Sequence, residues 1–590
     1  MYGYRSNHRP CLGAAFLAML TLCASLPPNG RDKPACRYLP GDIGWPSDEK
    51  WNSLNQTTGG NLIRGTPLAE PCYRQESGFQ SGVCADIRDN WTLPETHYDD
   101  PISVMSPYWL NDSCSPFADS RLGCTLGNLA VYALEIDSAE TAAAGLRFAQ
   151  ENNIRLTVKN TGHDYIGRSN GQGSLVLWTH KLKDMTFLNY SSSYYRGPAV
   201  KVGAGVQFSE AYSAAASRGL RVVGGYCPSV GIAGGYVQSG GYGPLAATYG
   251  LAADNALEFE VVTVDGRHLI ASPTENSDLY WALSGSGAGV YAVVLSLTTR
   301  AHADGETAGA SLAFANTDPA TYWTAVGAFQ SHLLALDKIP GFTTSWGMDN
   351  KSFSLNVATF PGGSRSDVDA ALMPFVQQAE NLSLPLTTYN TTIYPSFYAH
   401  FEHYTFPPEI YSTNNTLLGR LIPHYTIQDR LQELVGVFRQ IAENPTFPTI
   451  LISGNSVNLN RNHTPQVLGG NSVLPAWRDA VYTLNVGILY DAGATPEELR
   501  TIQKQANEWQ QLFSPITPGG GGYVNEAVFD DSNWKADYFG ENYDRLLEIK
   551  NKYDPQFTLW QHTSVGADVF WEVSGDGRLC RVSANSNSYK

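Results

Sequence analysis

Two side chains with reactive heteroatoms sit on separate glycine-rich loops. Cys227 stands in VVGGYCPSVGIAGGYVQSGGYG, where Gly224, Gly225, Gly231, Gly234, Gly235, Gly240, Gly241 and Gly243 let a backbone press closely against a flat or phosphorylated ligand. His163 lies 64 residues earlier, in VKNTGHDYIGRSNGQG, between two strand-like runs. Backbone N–H groups of a glycine-containing turn such as Asn160, Thr161, Gly162, His163, Asp164, Gly167, Arg168, Ser169 form a nest for an anion, a pyrophosphate included. A histidine and a cysteine placed this way serve as metal ligands, as a nucleophile and its base, or as two attachment points for one cofactor.

Other motifs narrow the choice. GSGAGV at 285–290 lacks the third glycine in register and the following acid of a dinucleotide fingerprint. No G-x-S-x-G elbow is present, which removes the α/β-hydrolase reading. No His-Glu-x-x-His or paired Cys-x-x-Cys gives zinc a ligand set, so no metal site is expected. A papain-like pairing of Cys227 with His163 lacks the local motifs of that chemistry.

The cysteines point to a compartment. Arg5 and Arg9 precede the apolar run Cys11–Leu26, so residues 1–26 read as a signal peptide and the protein as secreted. Of nine cysteines, Cys11 and Cys23 leave with it. Cys114 and Cys124 are spaced to close a local loop, and Cys36, Cys72, Cys84 and Cys580 can make two further bridges. Cys227 is then the seventh and odd residue. Nine Asn-x-Ser/Thr sequons, at Asn55, Asn90, Asn111, Asn189, Asn350, Asn381, Asn390, Asn414 and Asn462, suit N-glycosylation in that compartment. A net charge of −16 disfavours nucleic acid or an anionic membrane as partner. No later segment is apolar enough to span a bilayer.

The elements that must position these residues read as α+β. Residues 27–123, rich in Pro, Asn, Ser and Cys, read as a disulfide-clipped wrapping segment. From 124 to 302 strands are expected at Val131–Ile136, Arg155–Asn160, Ser174–Thr179, Ala199–Val206, Phe259–Gly266 and Val290–Arg300. A helix capped by Ser138 and the short helix SDLYWAL lie among them. Residues 303–518 read as a second α+β domain with helices at Pro319–Leu334, Ser366–Glu380, Ile427–Glu443 and Pro496–Phe513. Its strands are expected in TTSWGMD, SFSLNVATF, TILISGNSVNLN and VYTLNVGILYD. Gly519–Gly522 then opens an aromatic-rich C-terminal element, 519–590.

Taken together, CTLGN at Cys124, KNTGHDYIGRS, CPSVGIAGG, GGYG, YGLAADN, DLYWALSG and the C-terminal YVNE, YFGENYDRL and KYDP resemble the vanillyl-alcohol-oxidase type of FAD-linked oxidoreductase. The resemblance is to its berberine-bridge-enzyme-like members, the fungal isoamyl-alcohol-oxidase-like branch, and covers most of the chain. It implies a PCMH-type two-subdomain FAD-binding domain, a substrate domain whose antiparallel sheet roofs the flavin, and a C-terminal element that returns to the FAD domain. It implies FAD bonded twice, through His163 to the 8α-methyl and through Cys227 to C6. Ser229, Val230, Gly231, Gly234, Gly235, Gly241 and Val262 join the nest loop as cofactor contacts, and Val230 resembles a gate for O2. Tyr242 takes the place of a catalytic base, provided its site lowers its pKa. Tyr523 and Asn525 match an element reaching the flavin from the C-terminal segment, with Glu526 standing where a tyrosine is often found. The roof, through Asn455–Asn460, His403 or Tyr404, offers other bases. The resemblance thus implies an oxidase that takes a hydride from an alcohol or activated C–H of a small molecule, from secondary metabolism by analogy, and passes electrons to O2. A carbohydrate oxidase of the same fold and a catalytically silent flavin-binding secreted protein are the rivals.

Overall fold

The computed structural model describes residues 35–74, 78–106, 113–121, 123–405, 414–447, 449–459 and 470–582. The 1–26 signal segment and the sequons at Asn111 and Asn462 lie outside the described residues. Contacts divide the chain after Ala35, and everything below belongs to the body that begins at Cys36.

The N-terminal segment does more than wrap. Its strand Leu62–Arg64 pairs antiparallel with Tyr132–Glu135, at the edge of a four-stranded sheet completed by Ser174–Trp178 and Arg155–Lys159 in parallel. Every residue of Ser174–Trp178 is buried, as a central parallel strand covered on both faces requires. The helix Asp48–Thr57 seats Trp51 against the Tyr132 ring, with centroids 4.1 Å apart. Helix Ala139–Glu151 begins where Ser138 Oγ accepts the Thr141 N–H at 3.2 Å, and buries Ala142, Leu146 and Ala149 on one face.

A second, antiparallel sheet follows in the order Met185–Ser191, Arg196–Gly203, Ala292–Ala303, Ala256–Thr263, His268–Ala271, with Leu220–Val222 paired beside Ala292–Ala303. The third sheet is antiparallel and seven-stranded: Leu386–Tyr394, Thr307–Ala315, Ser352–Pro361, Thr343–Met348, Ile450–Ser456, Ala480–Leu489, Asn415–Pro423. Helices Pro319–Leu336, Arg365–Asn381, Leu431–Ala442 and Pro496–Phe513 pack on the face that carries Trp346, Ile452 and Leu484. The helix expected over Ile427–Glu443 is broken at Arg430, whose φ of −128° and ψ of 21° separate His424–Asp429 from the next helix.

The C-terminal element returns across both halves. Buried Lys550 donates to Asp554 at 2.7 Å and to the Leu559 carbonyl at 2.8 Å, while Arg420 of the third sheet pairs with Asp537 at 2.7 Å. Disulfides join Cys36–Cys580, Cys72–Cys84 and Cys114–Cys124, so the first and last described segments are clipped together. Among the described residues no helix is long and apolar enough to cross a membrane.

Candidate active site

One cavity of about 240 Å³ gathers residues from the first two sheets and their loops and from the C-terminal element. The loop after Arg155–Lys159 supplies Asn160, Thr161, Gly162, His163, Asp164, Arg168 and Ser169; the glycine turn supplies Cys227, Val230, Gly231, Gly234 and Gly235; Tyr242, Tyr523, Asn525 and Glu526 close one end. His163 and Cys227, read from the sequence as partners on separate loops, therefore line the same space, and Cys227 belongs to none of the three disulfides.

The nest loop is shaped from within. Gly162 and Gly167 take φ of +90° and +72°, the left-handed region that glycine occupies without strain. Asp164 is spent on the loop itself, its Oδ2 accepting the Ser169 N–H and Oγ–H, each at 2.7 Å. The Arg168 guanidinium likewise donates to the Val524, His562 and Thr563 carbonyls at 3.1 Å, tying the loop to the C-terminal element. Ser229 positions His163: its hydroxyl lies 2.6 Å from Nε2, and its own carbonyl accepts from Gln207 at 2.7 Å. Burial above all, with lesser contributions from nearby His97 and Lys159, holds the His163 pKa down to about 3, so the ring is neutral at physiological pH. In the Cys227 turn the Val230 N–H donates to the Cys227 carbonyl at 3.2 Å, and Val230 is half-buried on the cavity wall. Gly241, at φ +73°, turns the chain into Tyr242 without touching the cavity. Val262 does not reach it either: it is buried in the core under the Ala139–Glu151 helix.

At the closed end the Tyr242 hydroxyl donates to Glu526 Oε1 at 2.8 Å, and Asn455 Nδ2 donates to the same Tyr242 oxygen at 3.4 Å. Tyr523 and Trp477 stand against the Tyr242 ring at 5.5 and 5.8 Å. The expected lowering of the Tyr242 pKa is reversed. Burial and then the neighbouring Glu526 carboxylate raise it well above 10, because an anionic phenolate there would be desolvated and face a like charge. Burial pushes Glu526 up to about 7, against the opposing pull of the Tyr242 hydroxyl and Asn485. Glu526 is thus the group poised to exchange a proton at neutral pH. Asn525 is a tether: Nδ2 donates to the Gly235 carbonyl at 3.0 Å and to Tyr523 Oη at 2.9 Å, and Oδ1 accepts from Ser239 at 3.0 Å. Gly419 lets the segment pass over the sheet, since a Cβ there would stand 2.5 Å from the Glu526 carbonyl oxygen.

Of the other bases offered by the sequence, His403 packs on Tyr394 at 5.0 Å and Tyr404 bonds Thr392 at 2.9 Å, and neither lines the cavity. Asn460 lies outside the described residues. Sequence reasoning gave no role to Tyr226, Gln238 and Gln561, which also line the cavity. It met Glu526 only as a departure from a motif. The signal available was a lone carboxylate within YVNEAVF, a run otherwise too apolar for a solvated acid.

A family model described as "FAD binding domain" matches residues 131–272, and one described as "Berberine and berberine like" matches 522–566. The chain is 41% identical to the VAO-type flavoprotein oxidase VAO615 of Thermothelomyces thermophilus over 96% of this chain and 99% of that protein. It is 37% identical to the FAD-linked oxidoreductase patO of Aspergillus clavatus, over 97% and 99%. The crystal structure of the VAO-type flavoprotein MtVAO615 from Myceliophthora thermophila C1 superposes with a TM-score of 0.87 at 41% identity, over 93% of this chain and all of that one. The chain belongs to the berberine-bridge-enzyme-like, VAO-type family of FAD-linked oxidoreductases. Its cavity fits FAD: glycine-lined walls admit a flat ring, the nest loop suits a pyrophosphate, and buried Asn160 Oδ1 and Gln238 Oε1 have no protein partner among the described residues.

Proposed function

We propose that this oxidoreductase is a secreted oxidase of small-molecule alcohols or activated C–H donors, with FAD attached through both His163 and Cys227. The observation that carries the reading is the 2.8 Å hydrogen bond between Tyr242 and Glu526 at the end of a cavity whose walls hold His163 and Cys227.

FAD held by His163, Cys227 and the nest loop would supply the two-electron redox chemistry, so that overall an alcohol and O2 become a carbonyl compound and H2O2. The chain's own residues manage the proton. As the substrate O–H gives its proton to Tyr242 Oη, the Tyr242 proton moves to Glu526 Oε1, so no isolated phenolate forms in a buried site. Asn455 holds the Tyr242 oxygen from the other side, while Trp477 and Tyr523 keep water off the pair. For attachment, the neutral His163 ring retains a nucleophilic nitrogen at physiological pH, and Ser229 fixes its orientation. Three disulfides and the exposed sequons Asn90, Asn189, Asn350, Asn381 and Asn390 support an oxidising, glycosylating route out of the cell.

The test is chemical and direct. Acid-precipitated protein should stay yellow, and a tryptic digest should yield the His163 and Cys227 peptides joined through the mass of FAD. His163→Ala and Cys227→Ala should each keep the flavin by the other bond. Loss of all colour on precipitation of the wild-type protein refutes the attachment, and absence of substrate-dependent peroxide across a panel of alcohols refutes the oxidase.

A further inference from the structure

The edge of a β-sheet offers unpaired N–H and C=O groups to any other strand, and the edges of this chain are closed in different ways. Leu62–Arg64 and His268–Ala271 are three and four residues long, too short to pair well with another chain. Arg155–Lys159 is bridged at Leu156 by Leu559, and beside Asn415–Pro423 the Leu421 N–H donates to the Gly521 carbonyl at 2.7 Å. Two long edges are left. Met185–Ser191, seven residues, pairs only with Arg196–Gly203, and Leu386–Tyr394, nine residues, pairs only with Thr307–Ala315. Among the described residues neither strand makes a backbone hydrogen bond on its outer side.

These two edges are also the least protected by their own sequence. MTFLNYS and LTTYNTTIY hold no charged residue, no proline and no glycine, and are rich in aromatic and β-branched side chains. Segments of that composition pair readily with copies of themselves. Leu188 and Ile393 are each 37% exposed on them. Each strand has one sequon asparagine as its fifth residue, Asn189 in the first and Asn390 in the second, and both are exposed. No other sequon asparagine lies within a described strand. Asn55 and Asn381 are helical, Asn90 caps a helix, Asn350 connects two strands, and Asn414 stands just before Asn415–Pro423.

We propose that Asn189 and Asn390 carry N-linked glycans whose role is to close these two edges against strand pairing with another chain. A strand must come within about 4.8 Å of its neighbour to bond it, and a branched sugar rooted mid-strand is wider than that gap. The donor is a lipid-pyrophosphate-linked oligosaccharide. The bond from asparagine Nδ2 to the sugar C1 forms, the sugar–phosphate bond breaks, the lipid pyrophosphate leaves and the amide gives up one proton. The backbone groups that hold the strand in its sheet take no part. The proposal rests on the secretory reading for access to that donor.

The test uses the secreted holoenzyme from a glycosylating host, and peptide mass spectrometry should find glycan on both Asn189 and Asn390. Asn189→Gln and Asn390→Gln, singly and together, are compared with Asn350→Gln and Asn381→Gln, which remove as many sequons away from the edges. Light scattering at rising protein concentration, below the melting temperature, should show self-association several-fold faster in the edge variants than in wild type or the controls. The rate of flavin reduction in the monomer should not change. Asn189→Lys and Asn390→Lys also lack the glycan but put a charge on the edge, so they should restore wild-type behaviour. If a glutamine variant is not secreted, secretion becomes the readout: rescue by lysine supports the edge role, and failure of both overturns it. Glycan at Asn350 and Asn381 with none at Asn189 and Asn390 would overturn the edge role and leave the secretory reading standing. So would edge variants that associate no faster than the controls, or lysine variants as prone to associate as the glutamine ones. A protein with no glycan at any sequon overturns both.

Discussion

Replacing Glu526 by glutamine separates the chemistry from the fold in one variant. The substitution keeps the size and a hydrogen-bond acceptor for the Tyr242 hydroxyl but removes the group that titrates. A general base contributes roughly 10²–10⁴-fold, or about 3–5 kcal/mol of barrier. Anaerobic stopped-flow reduction of the flavin should slow by that factor in Glu526→Gln. In the wild type the reductive rate should climb as pH rises through about 7, where Glu526 loses its proton, and this limb should vanish in the variant. Tyr242→Phe should slow reduction comparably, and the double variant should be little worse than either single one, because the two residues move one proton between them. Stability should change in the opposite sense. The folded-state pKa of Glu526 is raised from the ordinary 4.5 to about 7, so its protonated form is favoured by folding. That stability is full below pH 4.5 and is lost as pH rises through 7, up to about 3 kcal/mol for a displacement of this size. Glutamine never ionises, so the variant should melt higher than wild type at pH 8.5 and alongside it at pH 4.5. Reduction within threefold of wild type, with the limb near pH 7 retained, would refute the assignment and return the base role to another group. A variant that melts lower at pH 8.5 would refute the burial argument.

Val230→Leu adds one methylene at the cavity wall beside Cys227 and should cost about 1–3 kcal/mol by overpacking, leaving the fold intact. Reduction by substrate should be normal while reoxidation in air slows, and equal reoxidation rates would show that Val230 only packs the turn. His424 is pushed up to about 9 by the Asp337 carboxylate at 2.8 Å, with Asp479 adding to the effect. Its contribution is therefore complete below pH 6.5 and lost as pH rises through 9, so His424→Ala should lower the melting temperature at pH 6 and leave it unchanged at pH 10. A loss of equal size at both values would place the effect in packing rather than charge.

What the sequence disclosed and what it hid follow from the range of the interactions involved. The loops around His163 and Cys227 were legible because glycines at fixed spacing record a local backbone need, and Gly162 and Gly167 do take positive φ. The odd cysteine was legible by parity, and the other six do form three bridges. Long helices such as Pro496–Phe513 announced themselves through period and capping, with Thr495 and Glu498 closing a capping box. Three strands of the large sheet, Thr307–Ala315, Leu386–Tyr394 and Asn415–Pro423, did not, because the alanine- and threonine-rich first two, and the third with Gly419 at its centre, gain strand structure from the neighbours they pair with. Protonation was the least legible property of all. A tyrosine in SGGYG invites the role of base, but a pKa depends on burial and on charges brought close by folding, and Glu526 arrives beside Tyr242 from 284 positions away. The same contact that raises the tyrosine's pKa supplies the carboxylate that can take its proton. A buried phenol without Glu526 would therefore be a poor base, and a buried glutamate without Tyr242 would be less well placed to reach the substrate. In the proposed mechanism the proton is carried by the pair, and the two residues meet only in the fold.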